Sequence, residues 1–293
     1  MDVSIVIVTK NRVEELVFTL EKIQKLIDSS KHEVLVFIDG CEATEAIKKD
    51  FSWVKWFGVG KSIGASSARN SLYKNAVGTI LIGLDDDAHP ITANFIEKST
   101  TLFQANSKLG IIAFQEVRGV FTSDALALEQ AEKKHIQYQT NNFIGCGFAM
   151  KNEVYQKTNF FPLWIDIYAE ETCVAYEVLD AGYEIVYDNF IIVNHRVNKL
   201  QRQQHGKHYF RFQKEFKNNI FIILVYRKNP LYLILKSIFH NFLEYALKDL
   251  IYFKLFWVAL FQVLVRFIFI LKFRKPIKNG TLQKIKQLKK LKY

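Results

Sequence analysis

The sequence predicts an α/β fold, in which a mostly parallel sheet is flanked by helices and followed by an amphipathic helical extension. Two observations support this prediction. In the first 115 residues, short apolar runs alternate with segments whose apolar residues recur every three or four positions. Between Pro230 and Pro276 the chain becomes a glycine-free, largely aliphatic and aromatic stretch. Alternating strands and helices are typical of a parallel sheet that is covered on both faces.

The apolar runs predict the strands, because a strand buried on both faces has a continuous apolar sequence. They lie at Val3–Val8, Val34–Ile38, Thr79–Leu84 and Leu109–Phe114, with a weaker run at Trp53–Phe57. Helical spacing of apolar residues predicts helices over Arg12–Ile27, Ala65–Asn75 and Ala93–Phe103. Residues 115–200 are less regular, and there we predict a helix from Glu170 to Gly182, a strand at Glu184–Tyr187 and an apolar segment at Ile191–His195.

The chain has 293 residues, enough for one α/β domain of about 200 residues and a substantial extension. Its three cysteines are far apart, and none forms a CxxC pair. This pattern suits a reducing cytosol and argues against a disulfide scaffold or a zinc ribbon. The first residues have the pattern of a buried strand, so we expect no secretory signal.

Charge is distributed unevenly along the chain. The first 200 residues carry 20 Lys+Arg and 26 Asp+Glu, whereas residues 201–293 carry 20 Lys+Arg and 3 Asp+Glu. A basic, apolar tail on an acidic body favours a polyanionic partner surface, either anionic lipid or nucleic acid. Aliphatic and aromatic residues dominate the tail and no nucleic-acid-binding motif appears, so we expect no nucleic acid partner.

The interval between Pro230 and Pro276 predicts helices that lie in a membrane interface. At about 100° per residue, nearly all its polar residues fall in an arc of roughly 140°. Leu255–Leu271 has only 17 residues and is interrupted by Gln262 and Arg266, whereas a spanning helix needs about 20 apolar residues. A hinge would split the interval into two interfacial helices. The alternative is a tail packed against the α/β domain or a second subunit.

Three consecutive carboxylates, Asp85, Asp86 and Asp87, end the strand predicted at Thr79–Leu84. Carboxylates this close repel one another, and a divalent cation relieves the repulsion. Mg²⁺ or Mn²⁺ prefers oxygen ligands and also bridges to substrate phosphates. The alternative is a solvated acidic turn, for which aspartate is well suited.

Four segments resemble the nucleotide-binding half of family 2 glycosyltransferases of the GT-A, Rossmann-like fold: SIVIVTKNR at 4–12, SARN at 67–70, ILIGLDDD at 80–87 and Pro90. The resemblance implies that Asp85 and Asp87 hold Mn²⁺ or Mg²⁺ on the donor diphosphate. It also implies donor contacts from Thr9, Asn11, Arg12, Asp39, Gly64, Arg69, Asp85 and Asp86. Arg69 is expected to face the diphosphate, and a surface ion pair is its alternative. The family's usual Asp-Asp-Gly-Ser is here Ile38-Asp39-Gly40-Cys41, which lacks one acidic residue.

The resemblance extends over about residues 3–197. The family's acidic pair matches Glu170 and Glu171, with Gly182 following 12 residues after Glu170. This places Glu171 as the catalytic base and Glu170 on the acceptor side, whereas an acidic first helical turn is the structural alternative. The resemblance adds His195 as a metal ligand, and Gly145 and Gly147 as acceptor-side residues. The alternative for His195 is a structural role at the end of a strand, and the alternative for the two glycines is a tight turn. Two departures from the family lie in the same helix, at Cys173 and Glu177.

The resemblance therefore implies an inverting transfer of sugar from a nucleoside diphosphate sugar, with UDP expected, to a glycan or lipid-linked acceptor in surface polysaccharide or lipopolysaccharide synthesis. The expected division is a catalytic domain at 1–200, split into a donor half (1–115) and an acceptor half (116–200), and a membrane-associating region at 201–293. The expected location is the cytoplasmic face of the cell membrane. Alternatives are a non-catalytic sugar-nucleotide-binding or membrane-docking subunit, and a nucleotidyltransferase, although 9–12 is not the glycine-rich loop that the latter needs. The oligomeric state is not predicted.

Overall fold

The computed structural model describes residues 1–197 and 208–291. Its strands are β1 Val3–Thr9, β2 His32–Asp39, β3 Val54–Val59, β4 Ile80–Asp85, β5 Ala88–Pro90, β6 Leu109–Arg118, β7 Gln137–Gln139, β8 Gly147–Lys151 and β9 Glu184–His195. They form a nine-stranded sheet in the order β3-β2-β1-β4-β8-β6-β9-β5, with β7 added beside β9.

Helices cover both faces of this sheet. They are α1 Val13–Gln24, α2 Glu42–Glu45, α3 Ala65–Tyr73, α4 Phe95–Ala105, α5 Asp124–Glu129, α6 Asn152–Tyr155, α7 Glu170–Asp180, α8 Tyr209–Tyr226, α9 Pro230–Glu244, α10 Leu250–Leu271 and α11 Asn279–Gln287. The predicted α/β fold with a helical C-terminal extension is confirmed, and the elements predicted before residue 115 form close to their predicted positions.

The first half of the sheet is parallel, as predicted. β1 pairs in parallel with β2 and β4, and β2 pairs in parallel with β3. The carboxyl ends of these strands therefore meet at one edge of the sheet, where Thr9, Asp39 and Asp85 are the last residues of their strands. In open α/β sheets, ligands bind beyond this edge.

Antiparallel pairs enter in the second half of the sheet. β8 lies antiparallel between β4 and β6, and β5 and β7 pair antiparallel with β9. Because β5 and β7 have three residues each, neither is long enough to show a strand pattern in the sequence. The long β9 joins the two segments predicted at Glu184–Tyr187 and Ile191–His195 into one strand.

Two hydrophobic layers lie on opposite faces of the sheet, since successive side chains of a strand alternate between faces. Ile5 and Ile7 belong to the layer that contains Leu16 of α1. Val6 belongs to the other layer, with Val178 of α7. That second layer continues without interruption into the C-terminal helices, because it also contains buried side chains of α8, α10 and α11: Phe212, Phe216, Phe221, Phe256, Ile270 and Ile285.

A buried hydrogen bond strengthens the junction between the body and the tail. Tyr226, at the end of α8, donates through its hydroxyl to Glu177 Oε1 over 2.7 Å, and Lys275 Nζ lies 3.1 Å from Glu177 Oε2. The backbone N–H of Asn159 also donates to this carboxylate. Glu177, one of the two departures from the family pattern, is therefore a structural carboxylate that binds the tail.

The interval predicted to be amphipathic forms two helices, α9 and α10, with the break at 245–249. Asp249 caps α10, because its Oδ1 accepts from the N–H groups of Ile251 and Tyr252. α10 has 22 residues with a mean hydropathy of 2.1, and in the described part of the chain it alone is long and apolar enough to cross a membrane. The division of the chain at residue 200 stays a prediction.

The outward faces of these two helices are mainly apolar, although Lys236, His240 and Lys254 are also exposed on them. α9 has no buried residue. α10 packs inward through Phe256, Ala259, Val263 and Ile270. Within α10, Arg266 lies over the ring of Phe221 on α8 rather than on the open face. The exposed large hydrophobic side chains include Leu231, Tyr232, Leu235, Phe239, Trp257, Phe261, Leu264, Val265 and Ile268.

Candidate active site

A cleft of about 960 Å³ opens at the carboxyl edge of the parallel strands. Its size and its place at this edge are typical of a small-molecule site. The side chains predicted for the site that line it are Thr9, Arg12, Asp39, Gly64, Arg69, Asp85, Asp87, Gly145, Glu170, Glu171 and His195. Residues separated by up to 186 positions in the sequence thus meet in one cleft.

The aspartate triplet divides its side chains between the cleft and the interior. Asp85 and Asp87 line the cleft, whereas Asp86 is fully buried beneath it. Arg12 bridges the last two, with Nη2 at 2.8 Å from Asp86 Oδ1 and Nη1 at 2.5 Å from Asp87 Oδ2. Burial raises the pKa of Asp86 to about 7, although the charge of Arg12 opposes the rise. Asp86 was predicted to contact the donor, but its carboxylate is buried and does not line the cleft.

Asp85, Asp87 and His195 form a candidate metal centre, since each offers a ligand atom within 4.8 Å of the others. β9 ends at His195, whose Cα is paired with that of Ala88 in β5, and this pairing brings the imidazole to the triplet. His195 Nε2 lies 3.2 Å from Asp87 Oδ1. Two carboxylates and an imidazole in a mainly acidic setting fit Mn²⁺ or Mg²⁺.

Glu116 orients the histidine and was missed in the sequence. It lies near the end of β6, and its Oε1 is 2.5 Å from His195 Nδ1. A carboxylate on the second ring nitrogen is a common arrangement for metal-binding histidines. The sequence shows only that Glu116 lies near the end of a predicted strand, as the other strand-end carboxylates do. It does not show that β6 pairs with β9, which is what brings Glu116 to His195.

Arg69 is the centre of a buried ion-pair cluster. Its Nη2 lies 2.7 Å from Asp85 Oδ1, and its Nη1 lies 2.9 Å from Glu170 Oε1 and 3.0 Å from Glu171 Oε1. Burial opposes the charge, but the three carboxylates raise the pKa of Arg69. Since Arg69 is only 7% exposed, the surface ion pair considered above does not describe it. One guanidinium instead links the metal side of the cleft to the acidic pair.

The two glutamates occupy different environments. Glu170 is buried, and burial together with the charge of Glu171 raises the pKa of Glu170 to about 8 against the opposing charge of Arg69. The side chain of Glu171 is 19% exposed and reaches the cleft, compared with 4% for Glu170. Both residues also form the acidic first turn of α7. A structural role at the start of the helix is therefore compatible with a role of the pair in the cleft.

The backbone before this pair is strained. Tyr168 and Ala169 have φ values of 70° and 69°, although neither is a glycine. Backbone conformations of this kind cost about 1–3 kcal/mol each and persist where the surrounding structure enforces them. The two left-handed residues turn the chain so that α7 begins with Glu170 and Glu171 pointing at Arg69.

Gly145 makes room for the cluster. A Cβ at this position would collide with Glu171 Oε1 and would lie 2.6 Å from Arg69 Nη2. The space beside Gly145 is therefore filled by the protein's own ion pairs. Gly147, by contrast, is the first residue of β8, where it lies against Val193 and does not line the cleft.

The remaining predicted donor residues shape the rim of the cleft. The Asp39 carboxylate accepts from Ser62 Oγ (2.7 Å), Ile63 N (2.6 Å) and Gly64 N (3.1 Å), and so fixes the loop before α3. Lys10, which was not predicted, donates to Ser62 Oγ and lines the cleft. Asn11 is exposed in a left-handed conformation and does not line the cleft.

Comparisons with known proteins agree with this architecture. A model of the family described as "Glycosyl transferase family 2" matches residues 4–158. An uncharacterized protein of Haemophilus influenzae is 30% identical over 176 residues, which cover 55% of this chain and 92% of that protein.

Solved structures show the same fold. The mannosyltransferase PcManGT from Pyrobaculum calidifontis, in complex with GDP-Man and Mn²⁺, aligns with a TM-score of 0.59 at 16% identity, covering 90% of this chain and 75% of that one. S. aureus TarS 1-349 in complex with UDP-GlcNAc aligns with a TM-score of 0.58 at 13% identity, covering 83% and 73%. These likenesses confirm the predicted GT-A fold.

Gly145→Ala should destabilise the protein by about 1–3 kcal/mol, because the added methyl group displaces Glu171 or Arg69 from a filled space. Gly60→Ala is the matched control, since a Cβ at Gly60 meets nothing within 4 Å. Chemical denaturation of both variants measures the difference. Equal stabilities of the two variants would show that the space beside Gly145 is not filled as described.

The affinity for Mn²⁺ should increase with pH. Burial alone would lower the pKa of His195, but contacts with Asp87, Cys146 and Glu116 raise it to about 12. Without a bound ion the imidazole therefore carries two protons at neutral pH, and an ion must displace one of them. We expect affinity to rise about tenfold per unit between pH 6 and 8 in calorimetric titrations.

His195→Gln should flatten that pH dependence, whereas His32→Gln, a change remote from the cleft, should leave it intact. The same slope in both variants would exclude His195 as the residue that gives up the proton.

Proposed function

Because the chain belongs to glycosyl transferase family 2, whose model matches more than half of its length, we propose that it transfers a sugar with inversion from a nucleoside diphosphate sugar to a hydroxyl group. The single observation that carries this proposal is the Arg69 cluster. In it one guanidinium contacts both Asp85 of the candidate metal centre and the cleft-facing carboxylate of Glu171. UDP is the proposed carrier, and one of the structures with this fold contains UDP-GlcNAc.

The donor side of the cleft is built for a diphosphate. Asp85, Asp87 and His195 would hold Mn²⁺ or Mg²⁺, and a bound cation of this kind stabilises the negative charge of a departing diphosphate. Arg12 and Lys10 add fixed positive charge at the same edge of the cleft. Arg12 now pairs with Asp87, so its guanidinium is already within reach of a ligand at the candidate metal centre.

On the acceptor side, Glu171 is the proposed base. Its side chain is more exposed than that of Glu170, and it is fixed by Arg69 at 3.0 Å. As the acceptor oxygen bonds to the anomeric carbon, its proton passes to Glu171 and the sugar–phosphate bond breaks with its electron pair on the diphosphate. One base and one leaving group suffice for a single displacement, which inverts the anomeric centre.

We also propose that α9 and α10 lie in the interface of an anionic membrane, on the cytoplasmic side. α10 is long enough to span, but one of its faces packs on α8, where the rings of Phe256 and Phe216 stack with centroids 5.0 Å apart. α8 in turn shares a hydrophobic layer with α7 of the catalytic body. A helix fixed to a soluble body along one face exposes its other face to lipid without leaving that body. Lys254 on α10 and Lys272 directly after it are exposed and suit anionic headgroups.

This placement suits a glycan or lipid-linked acceptor, as in surface polysaccharide or lipopolysaccharide synthesis. α8 connects the cleft to the proposed membrane-binding helices. Phe210 and Arg211 at its start line the cleft, and its other side packs against α10. An acceptor anchored in the membrane would therefore approach the cleft along the start of α8.

Asp87→Asn and Glu171→Gln should each lower transfer by at least about 10³-fold, because each removes a charge that the transition state requires. Asp50→Asn and Glu97→Gln, at exposed positions, are the matched controls. Transfer is measured with Mn²⁺, a panel of nucleotide sugars and a purified acceptor, and circular dichroism checks the fold. Near wild-type turnover of either site variant would reject that residue's role. Absence of both donor hydrolysis and transfer in the unmodified protein would favour a binding subunit.

The double variant Leu264→Glu/Ile268→Glu should lose at least about tenfold in affinity for anionic phospholipid vesicles, because it places charges on side chains that are 72% and 70% exposed. Val77→Glu, at an exposed valine of the catalytic body, is the control. Sedimentation measures vesicle binding and the oligomeric state together. If the unmodified protein is a dimer that does not bind vesicles and the double variant is a monomer, the apolar face is a subunit interface instead.

A further inference from the structure

The loop 166–169, which leads into the acidic pair, is held by α8 of the C-terminal tail. Asn218 lies on α8 and is fully buried. Its Nδ2 donates to the carbonyl of Ile167 over 2.8 Å and to the carbonyl of Tyr168 over 3.0 Å. One amide group thus binds two successive carbonyls immediately before Glu170.

A second contact fixes the start of the same loop. Lys217, the neighbour of Asn218 on α8, has a buried side chain whose Nζ lies 3.4 Å from Asp166 Oδ1, and Lys214 pairs with the other oxygen of Asp166. On the opposite side, the carbonyl of Asp166 accepts from Ser66 N over 3.2 Å at the start of α3. The loop is therefore bound from two sides, by α3 and by α8.

These contacts explain how two consecutive left-handed residues persist before α7. Tyr168 and Ala169 would relax toward ordinary backbone conformations if the Asn218 amide that holds the carbonyls of Ile167 and Tyr168 were removed. Since α7 begins immediately after them, such relaxation would move Glu171 relative to Arg69 and the cleft. A shift of about 1 Å in a catalytic group can cost about 10²-fold in rate.

We propose that Asn218, assisted by Lys217, is a positioning residue for the proposed base, so that the C-terminal tail is part of the acceptor side of the site. This inference rests on the proposed function for the role of Glu171. It goes beyond that function because it assigns to α8, in the C-terminal region, a role in the geometry of the site. α8 also carries the membrane-facing helices, through Phe216 against Phe256 and through Asn219 Nδ2 on Ser237 Oγ at 3.0 Å.

Asn219 provides a matched control for Asn218, because it is the same residue type one position further on the same helix, with its side chain toward α9. We compare the full-length variants Asn218→Leu and Asn219→Leu. Asn218→Leu should lower kcat for transfer about 10- to 100-fold, with the affinity for the donor and Mn²⁺ within about twofold of wild type. Amide hydrogen exchange of residues 167–171 should become at least about tenfold faster in this variant alone.

Wild-type turnover together with unchanged exchange in Asn218→Leu would overturn the proposal, as would equal losses in both variants. Should Asn218→Leu fail to fold, Lys217→Met carries the same test, with Lys236→Met on the exposed side of α9 as its control. If the unmodified protein shows no transfer, the proposed function fails. The exchange measurement would still show whether α8 holds the loop.

Discussion

The site depends on one buried guanidinium. Arg69 pairs with Asp85, Glu170 and Glu171, and so reduces the repulsion between acidic groups that β4 and α7 bring into a poorly hydrated space. Removing one partner from a buried ion pair typically costs about 3–5 kcal/mol, because the remaining charges stay desolvated and unpaired. Arg69 fits only because Gly145 leaves the space beside it open. The positions of the proposed metal ligands and of the proposed base are therefore not independent of each other.

Much of this architecture is predictable from the sequence, for a physical reason. Strands buried on both faces appear as uninterrupted apolar runs, and parallel strands share one carboxyl edge. The polar residues that end such runs, Asp39 and Asp85 to Asp87, are therefore expected to meet. The acidic pair at 170–171 was predicted from the family resemblance, which its spacing to Gly182 matches, and the structure brings it to the same cleft.

The remainder depends on contacts that sequence periodicity does not report. Asp86 differs from its two neighbours only in the direction of its side chain, which the turn after β4 decides. Glu116 reaches His195 because β6 pairs with β9, and that pairing follows from the order of the sheet. Asn218 lies in a helix that looks peripheral by composition, and its importance arises from two carbonyls about 50 residues away. The sequence also does not report that Arg266 of α10 turns toward Phe221 of α8.

Glu177 has an implication for how this chain can vary. Its carboxylate binds Tyr226 and Lys275 of the tail and the backbone of Asn159 in the body, all at a position where the resembled family has a different residue. A tail without a tyrosine and a lysine at these two positions would leave this acid without its phenol and ammonium partners, buried and poorly solvated. The three side chains are therefore expected to change together during divergence. Chimeras that exchange C-terminal regions between family members would have to transfer all three.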